Sequence, residues 1–162
     1  MQDKNSPPKQ TSKAESINIY VDGSHSDQSN VSAWAAWYSR AGQPIAMGGA
    51  LMGQDSDRME LMAIVGVLES LDFVAKASIY TDSKTIVDRY EDYRRGWLDG
   101  TLCKPANVDL WSRMYAAAAA AGCEVKMVWV RSHGANDGNN KADRLARSYR
   151  KSLEDLIGFK KH

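Results

Sequence analysis

A chain of 162 residues suits one domain with a substantial core and leaves little room for a second. Its 21 basic and 20 acidic side chains balance, so net charge neither requires nor excludes a polyanionic partner, and only the distribution of charge can point to one. No apolar run is long enough to cross a bilayer as a helix, and the N-terminus lacks the apolar core of a secretory signal, so no membrane partner is expected and a cytoplasmic location is.

Residues 1–16 (MQDKNSPPKQTSKAES) carry two prolines and scarcely an apolar side chain. They cannot offset the entropy of ordering and read as a disordered N-terminal tail. The domain is expected over 17–156, with 157–162 as a C-terminal tail. Residues 17–21 form a first strand that ends on Asp22, 31–39 a second and 44–52 a third; the short polar connections favour an antiparallel meander. Residues 58–71 (RMELMAIVGVLESL) are apolar on nearly every side, which predicts a helix buried against a sheet. A strand over 77–81, a polar-faced helix over 83–95 and a loop over 96–107 follow. An Ala-rich helix from 108 closes at Gly122, then a strand spans 124–130, a loop 131–140 and a last helix 141–156. Cys103 and Cys123 show no C-x-x-C spacing and read as reduced thiols. Three strands, then helix, strand, two helices, strand and helix predict an α/β fold on one mixed sheet, antiparallel in its meander half and parallel in its crossover half.

Two stretches echo each other: NIYVDGSHS at 18–26 and SIYTDSKT at 78–85. Each runs β-favouring residues into Tyr-x-Asp, giving Asp22 and Asp82. Taken singly, every acidic residue of interest has an ordinary explanation. Asp22 before Gly-Ser is a turn residue, Asp82 an N-cap, and Glu60 the partner of Asp57 in a capping box. Asp143 would pair with Arg147 one helical turn on, worth roughly 0.2–0.5 kcal/mol, and His133 would be a surface histidine. Together these explanations fare worse. Glu60 is the only charge from Met59 to Leu68, and both aspartates stand at the ends of apolar strands, where an unpaired carboxylate is costly to desolvate. A divalent cation resolves that cost. Hard cations such as Mg²⁺ take oxygen ligands, and two of them about 3.5–4 Å apart can flank one phosphate. The chain has no G-x-x-x-x-G-K-[ST] loop, G-x-G-x-x-G, H-E-x-x-H or G-x-S-x-G to compete as a site.

YVDGS at 20–24, RMELMA at 58–63, YTDSK at 80–84, NVDLW at 107–111 and SHGANDGNNKADRLA at 132–146 resemble, in order, the motifs of type 1 ribonuclease H, over about residues 17–150. The resemblance implies a ribonuclease H-like fold, a five-stranded mixed sheet flanked by helices. It also implies a monomeric endonuclease that hydrolyses the RNA strand of RNA/DNA hybrids to 5′-phosphate and 3′-hydroxyl ends, with two Mg²⁺ ions, or Mn²⁺ in their place, when substrate is bound. Removal of RNA primers and R-loops is the implied cellular use. Asp22, Glu60, Asp82 and Asp143 would be the metal-binding catalytic carboxylates. His133 would be the mobile-loop histidine that assists water activation or product release. Gly23, Ser24 and Lys84 would contact the hybrid. No room is expected for a polymerase or a separate hybrid-binding domain.

Several positions depart from the pattern. Gln54, Asp55, Ser56 and Asp57 stand where many relatives carry the Thr and Asn that hold a DNA phosphate. Asn140 and Lys141 replace acids often found before the last Asp. The segment 88–109 is shortened and has four basic against five acidic side chains, too few for a basic handle. Lys141, Arg144, Arg147, Arg150 and Lys151 instead recur along the last helix. Two rivals stand beside the ribonuclease reading: another metal nuclease on the same scaffold, which RMELMA and 132–146 disfavour, and a binding module that has lost catalysis, which the full carboxylate set disfavours.

Overall fold

The meander and the crossovers form one sheet in the computed structural model, which describes residues 15–72 and 74–161. In chain order the elements are β1 (Ser16–Ser26), β2 (Val31–Arg40), β3 (Gln43–Met52), α1 (Ser56–Ser70), β4 (Lys76–Thr81), α2 (Lys84–Leu98), α3 (Val108–Ala120), β5 (Glu124–Trp129) and α4 (Asp137–Leu156). The strand order is β3-β2-β1-β4-β5. β1–β2 and β2–β3 are antiparallel, β1–β4 and β4–β5 parallel, so the mixed α/β sheet expected from the sequence is the one observed.

The pleat sorts β1 and β4 into two faces, since residues two apart share a side. Ile17, Ile19 and Val21 of β1 join Ala77 and Ile79 of β4 in the main core, where they meet Ile64 and Leu68 of α1 and Met114 of α3. α1 is buried between the sheet and α3, which explains why its sequence is apolar nearly all round. On the opposite face Tyr20 stacks between Trp37 and Tyr80, with ring centroids 5.0 and 4.9 Å away. Asp22 and Asp82 follow Tyr20 and Tyr80 by two residues and fall on that same side.

Several boundaries differ from expectation. Asp22 does not end β1, because pairing with β2 continues from Asp22↔Ala35 to Ser26↔Val31, and the turn comes after Ser26, with Asn30 at φ 54°. Ser16 pairs with Lys76, and the Glu15 carboxylate binds the Arg40 guanidinium at 2.8 and 2.9 Å. Those two residues therefore belong to the domain; the rest of the expected N-terminal tail, 1–14, lies outside the described residues. At the other end Ile157 caps α4 and the Phe159 amide donates to the Glu154 carbonyl at 2.9 Å, so the expected C-terminal tail begins by closing the helix. α2 runs through Gly96 to Leu98. The capping box at α1 is absent: Asp55 is the N-cap, accepting from the Arg58 amide at 2.7 Å, and Glu60 lies deeper in the helix. Cys103 and Cys123 are free thiols, the first exposed and the second buried.

α4 begins at Asp137, inside the expected loop. Asn136 caps it by accepting from the Asn139 amide at 2.8 Å. Gly138 sits directly over the Tyr20 ring, where a Cβ would overlap the aromatic carbons. The Trp37 indole N–H donates to the Gly138 carbonyl at 2.8 Å, and the Lys141 ammonium lies 4.1 Å from the centre of the Trp37 ring. The aromatic row therefore fixes the start of α4 on the sheet. Gly138→Ala should lower stability by about 1–3 kcal/mol through overpacking. The gain in helix propensity, about 1 kcal/mol, offsets only part of that, because Trp37 and Tyr80 back the Tyr20 ring on both sides. Urea unfolding of the two proteins measures the difference, and equal midpoints would remove the row from its positioning role.

Candidate active site

Three elements bring carboxylates together at the C-terminal end of β4. Asp22 comes from β1, Glu60 from the second turn of α1 and Asp82 from the junction of β4 with α2. One carboxylate oxygen of each lies within 4.8 Å of the other two. Asp22 and Glu60 are buried, Asp82 partly so.

The backbone holds this cluster tightly. The Gly23 amide donates to Asp22 Oδ1 at 3.0 Å and to Glu60 Oε1 at 2.8 Å. The Thr81 hydroxyl donates to Glu60 Oε2 at 3.1 Å and accepts from the Ser83 amide at 3.1 Å. Glu60 is thus fastened to both central strands. Asp82 is fixed by its surroundings: Ser83 caps α2, accepting from the Ile86 amide at 3.4 Å, and the Trp129 indole N–H donates to the Asp82 carbonyl at 3.2 Å. The expected N-cap role of Asp82 belongs to Ser83.

Electrostatics show what the cluster lacks. Burial, then the hydrogen bond and charge of Glu60, then Asp82 and Asp143 push the Asp22 carboxyl far above the ordinary range. Burial also raises Glu60, aided by the Asp82 charge and opposed by hydrogen bonds from Asp22, Gly23 and Thr81. Among the described residues, none of the three acids is ion-paired with Lys, Arg or His. Three convergent carboxylates without a basic partner suit a hard divalent cation, which takes oxygen ligands and keeps several waters.

The remaining expected residues lie around this centre. Asp143, on α4, stands outside the three-residue cluster, with the Arg147 guanidinium at 2.7 Å. His133 is exposed in the β5–α4 turn at φ 51°, its Nδ1 3.8 Å from the Asp143 carboxylate. Ser24 Oγ accepts from Arg150 Nε at 2.9 Å, and Arg150 also binds Glu154 at 2.7 Å. The Lys84 ammonium is exposed and pairs with Asp88 at 3.0 Å. Asp55 is engaged as a helix cap, and Gln54 accepts on its carbonyl from the Ser32 hydroxyl. Sequence reasoning missed Thr81 and Trp129. Thr81 was legible in part, since alternation sets it on the α1 side with Ile79; nothing in the sequence ties the Trp129 indole to Asp82.

The fold and site define a mixed-sheet α/β protein with a carboxylate centre of the hard-cation type. The RNase H family model matches residues 14–151. A ribonuclease H of Methylobacillus flagellatus is 33% identical over 147 residues, covering 88% of this chain and 94% of its own length. A ribonuclease H of Nitrosococcus oceani is 32% identical, covering 83% and 93%. Among solved structures, a type 1 RNase H with the type 2 active-site motif aligns with a TM-score of 0.67 at 20% identity, covering 86% of this chain and 74% of that one. The N-terminal RNase H domain of a Mycobacterium tuberculosis protein, solved as a fusion with maltose-binding protein, aligns with a TM-score of 0.67 at 16% identity, covering 89% and 99%. The chain belongs to the RNase H family.

Proposed function

We propose that this chain is a divalent-metal-dependent endonuclease that hydrolyses the RNA strand of RNA/DNA hybrids, leaving 5′-phosphate and 3′-hydroxyl ends. The observation that carries the reading is the cluster of Asp22, Glu60 and Asp82, with no basic partner, in a chain of the RNase H family. These three and Asp143 would hold two Mg²⁺ ions, with Mn²⁺ as the substitute. Bound there, the ions would supply an activated water and neutralise charge developing on the phosphate.

The chain's own part is positioning. The Gly23 amide and Thr81 hydroxyl orient both oxygens of Glu60, and the Trp129 indole fixes the backbone at Asp82. His133 exchanges a proton at Nδ1 beside Asp143, from a turn open to solvent. Gly23, whose missing side chain makes room for α1, would meet the hybrid through its backbone, while Ser24 and Lys84 contact the substrate by breaking or sharing their bonds to Arg150 and Asp88. Selection of RNA would rest on the 2′-hydroxyl, the group that distinguishes it from DNA. Among the described residues no helix is long and apolar enough to cross a membrane.

The test is gel-resolved cleavage of an end-labelled hybrid in Mg²⁺, beside single-stranded RNA, double-stranded RNA and duplex DNA. Cutting confined to the RNA of the hybrid, and lost in EDTA and in Asp82→Asn, is the expected result. No cutting by the folded protein in Mg²⁺ or Mn²⁺ overturns the proposal. In the same assay His133→Ala should lower kcat by roughly a hundredfold or less, since a proton-transfer group contributes less than the metal site it assists. A loss equal to that of Asp82→Asn would give His133 a larger role than proton exchange.

A further inference from the structure

Positive charge is spread unevenly over the helices. On α2, Lys84, Arg94 and Arg95 are each ion-paired within the helix, to Asp88 at 3.0 Å, Glu91 at 3.9 Å and Asp92. On α4, Arg150 is taken up by Ser24 and Glu154, and Lys141 covers Trp37. Arg144 and Lys151 are exposed and, among the described residues, neither is ion-paired. With Arg147 they stand at i, i+3 and i+7, which puts all three on one face of the helix. Together with Ser148, Ser152 and Asp155 they line a groove of about 390 Å³.

This groove adjoins the carboxylate centre. Arg147, in its wall, holds Asp143 at 2.7 Å, and Arg144 is the next residue along the chain from Asp143. From Arg144 to Lys151 the helix rises about 10 Å at 1.5 Å per residue. That length spans about three steps of a nucleic-acid strand at roughly 3.4 Å each. The lining offers three cations and two hydroxyls against one carboxylate and has no aromatic or aliphatic anchor of the kind that dominates protein interfaces. A regularly spaced polyanion matches it.

We infer that this face of α4 binds the phosphodiester backbone of the hybrid beyond the scissile phosphate. The inference rests on the reading of the chain as a hybrid-cleaving enzyme. It would give the protein a backbone contact on α4, while on α2 Lys84, Arg94 and Arg95 are held by that helix's own acids and Arg89 alone is not ion-paired among the described residues.

The experiment is a salt titration of hybrid binding in EDTA, read by fluorescence anisotropy, for wild type, Arg144→Gln/Lys151→Gln and a control, Lys126→Gln on edge strand β5. Each lost phosphate contact should flatten the log–log slope by about 0.7–0.9, so the double variant should lose about twice that. Its KM in Mg²⁺ should rise while kcat at saturating substrate holds, and the control should match wild type. An unchanged slope in the double variant, with wild type binding and cutting normally, overturns the backbone track and leaves the proposed function standing. Equal flattening in the control, or a fall in kcat alone, also overturns it. If wild type neither binds nor cuts the hybrid, the proposed function falls with it.

Discussion

Asp22→Asn should abolish hybrid cleavage and, in EDTA, raise the melting temperature. The two effects have one cause. Metal-free, both carboxyls are raised above their ordinary values, Asp22 by burial and then by Glu60, and Glu60 by burial and by the Asp82 charge against the hydrogen bonds that lower it. An acid raised on folding stabilises the fold only while it is protonated. That contribution is complete below its unfolded value, 3.8 for Asp22, and is lost as pH rises through the folded value. Near neutral pH the metal-free cluster is therefore a net cost. An amide at position 22 keeps an oxygen for the Gly23 amide and adds a donor for Glu60, so it removes the charge without leaving an unpaired group. For a domain of this size about 1 kcal/mol moves the melting temperature by roughly 2–4 °C, and a rise of several degrees is expected. Mg²⁺ should raise the melting temperature of wild type, because a ligand that binds only the folded state stabilises it, and should do so far less in the variant. Thermal melts at pH 7.5 with EDTA or Mg²⁺, beside the cleavage assay, read both effects. A lower melting temperature for the variant in EDTA, or retained cleavage, would sink the account.

The cluster was legible in outline because its signals are local. A lone Glu60 in an apolar helix and two strands running into Asp are visible without a structure, and the crossover order implies a parallel half of the sheet, though not that β1 and β4 are neighbours in it. What holds the carboxylates was not legible. The Gly23 amide reaches Glu60 across 37 residues and the Thr81 hydroxyl does so across 21, and spacing cannot reveal such contacts.

Glycines misled for a similar reason. Asp22-Gly23-Ser24 reads as a turn and Gly138 as loop punctuation, yet one lies in a paired strand and the other in the first turn of α4. Both are glycine because another element comes too close for a side chain. Local propensity lost to a tertiary contact in each case. Asp143 was open to two readings, an ion pair with Arg147 and a metal ligand. The ion pair is formed at 2.7 Å, and the carboxylate stands apart from the other three.

Gly23→Ala should damage both fold and site, and activity more than stability. A Cβ at this position would lie 2.9 Å from Met59 Cβ, 3.0 Å from the Glu60 amide nitrogen and 3.1 Å from the Ser56 carbonyl oxygen. None of these is the far end of a flexible side chain, so β1 and α1 must separate. Overpacking of a rigid contact costs about 1–3 kcal/mol. The separation also lengthens the hydrogen bond from the Gly23 amide to Glu60 Oε1, now 2.8 Å, and draws Glu60 away from Asp22 and Asp82. Cleavage should therefore fall by about a hundredfold or more, since a misplacement near 1 Å is enough for such a loss. Ser70→Ala, at the far end of α1, is the control: it removes a hydrogen bond to the Val67 carbonyl, 2.7 Å, and a contact to Met47, and should cost at most about 1 kcal/mol with cleavage kept. Urea unfolding and cleavage rates of the two variants separate the effects. If Gly23→Ala cut the hybrid as fast as wild type, the close approach of α1 to β1 would not be what sets the geometry of Glu60.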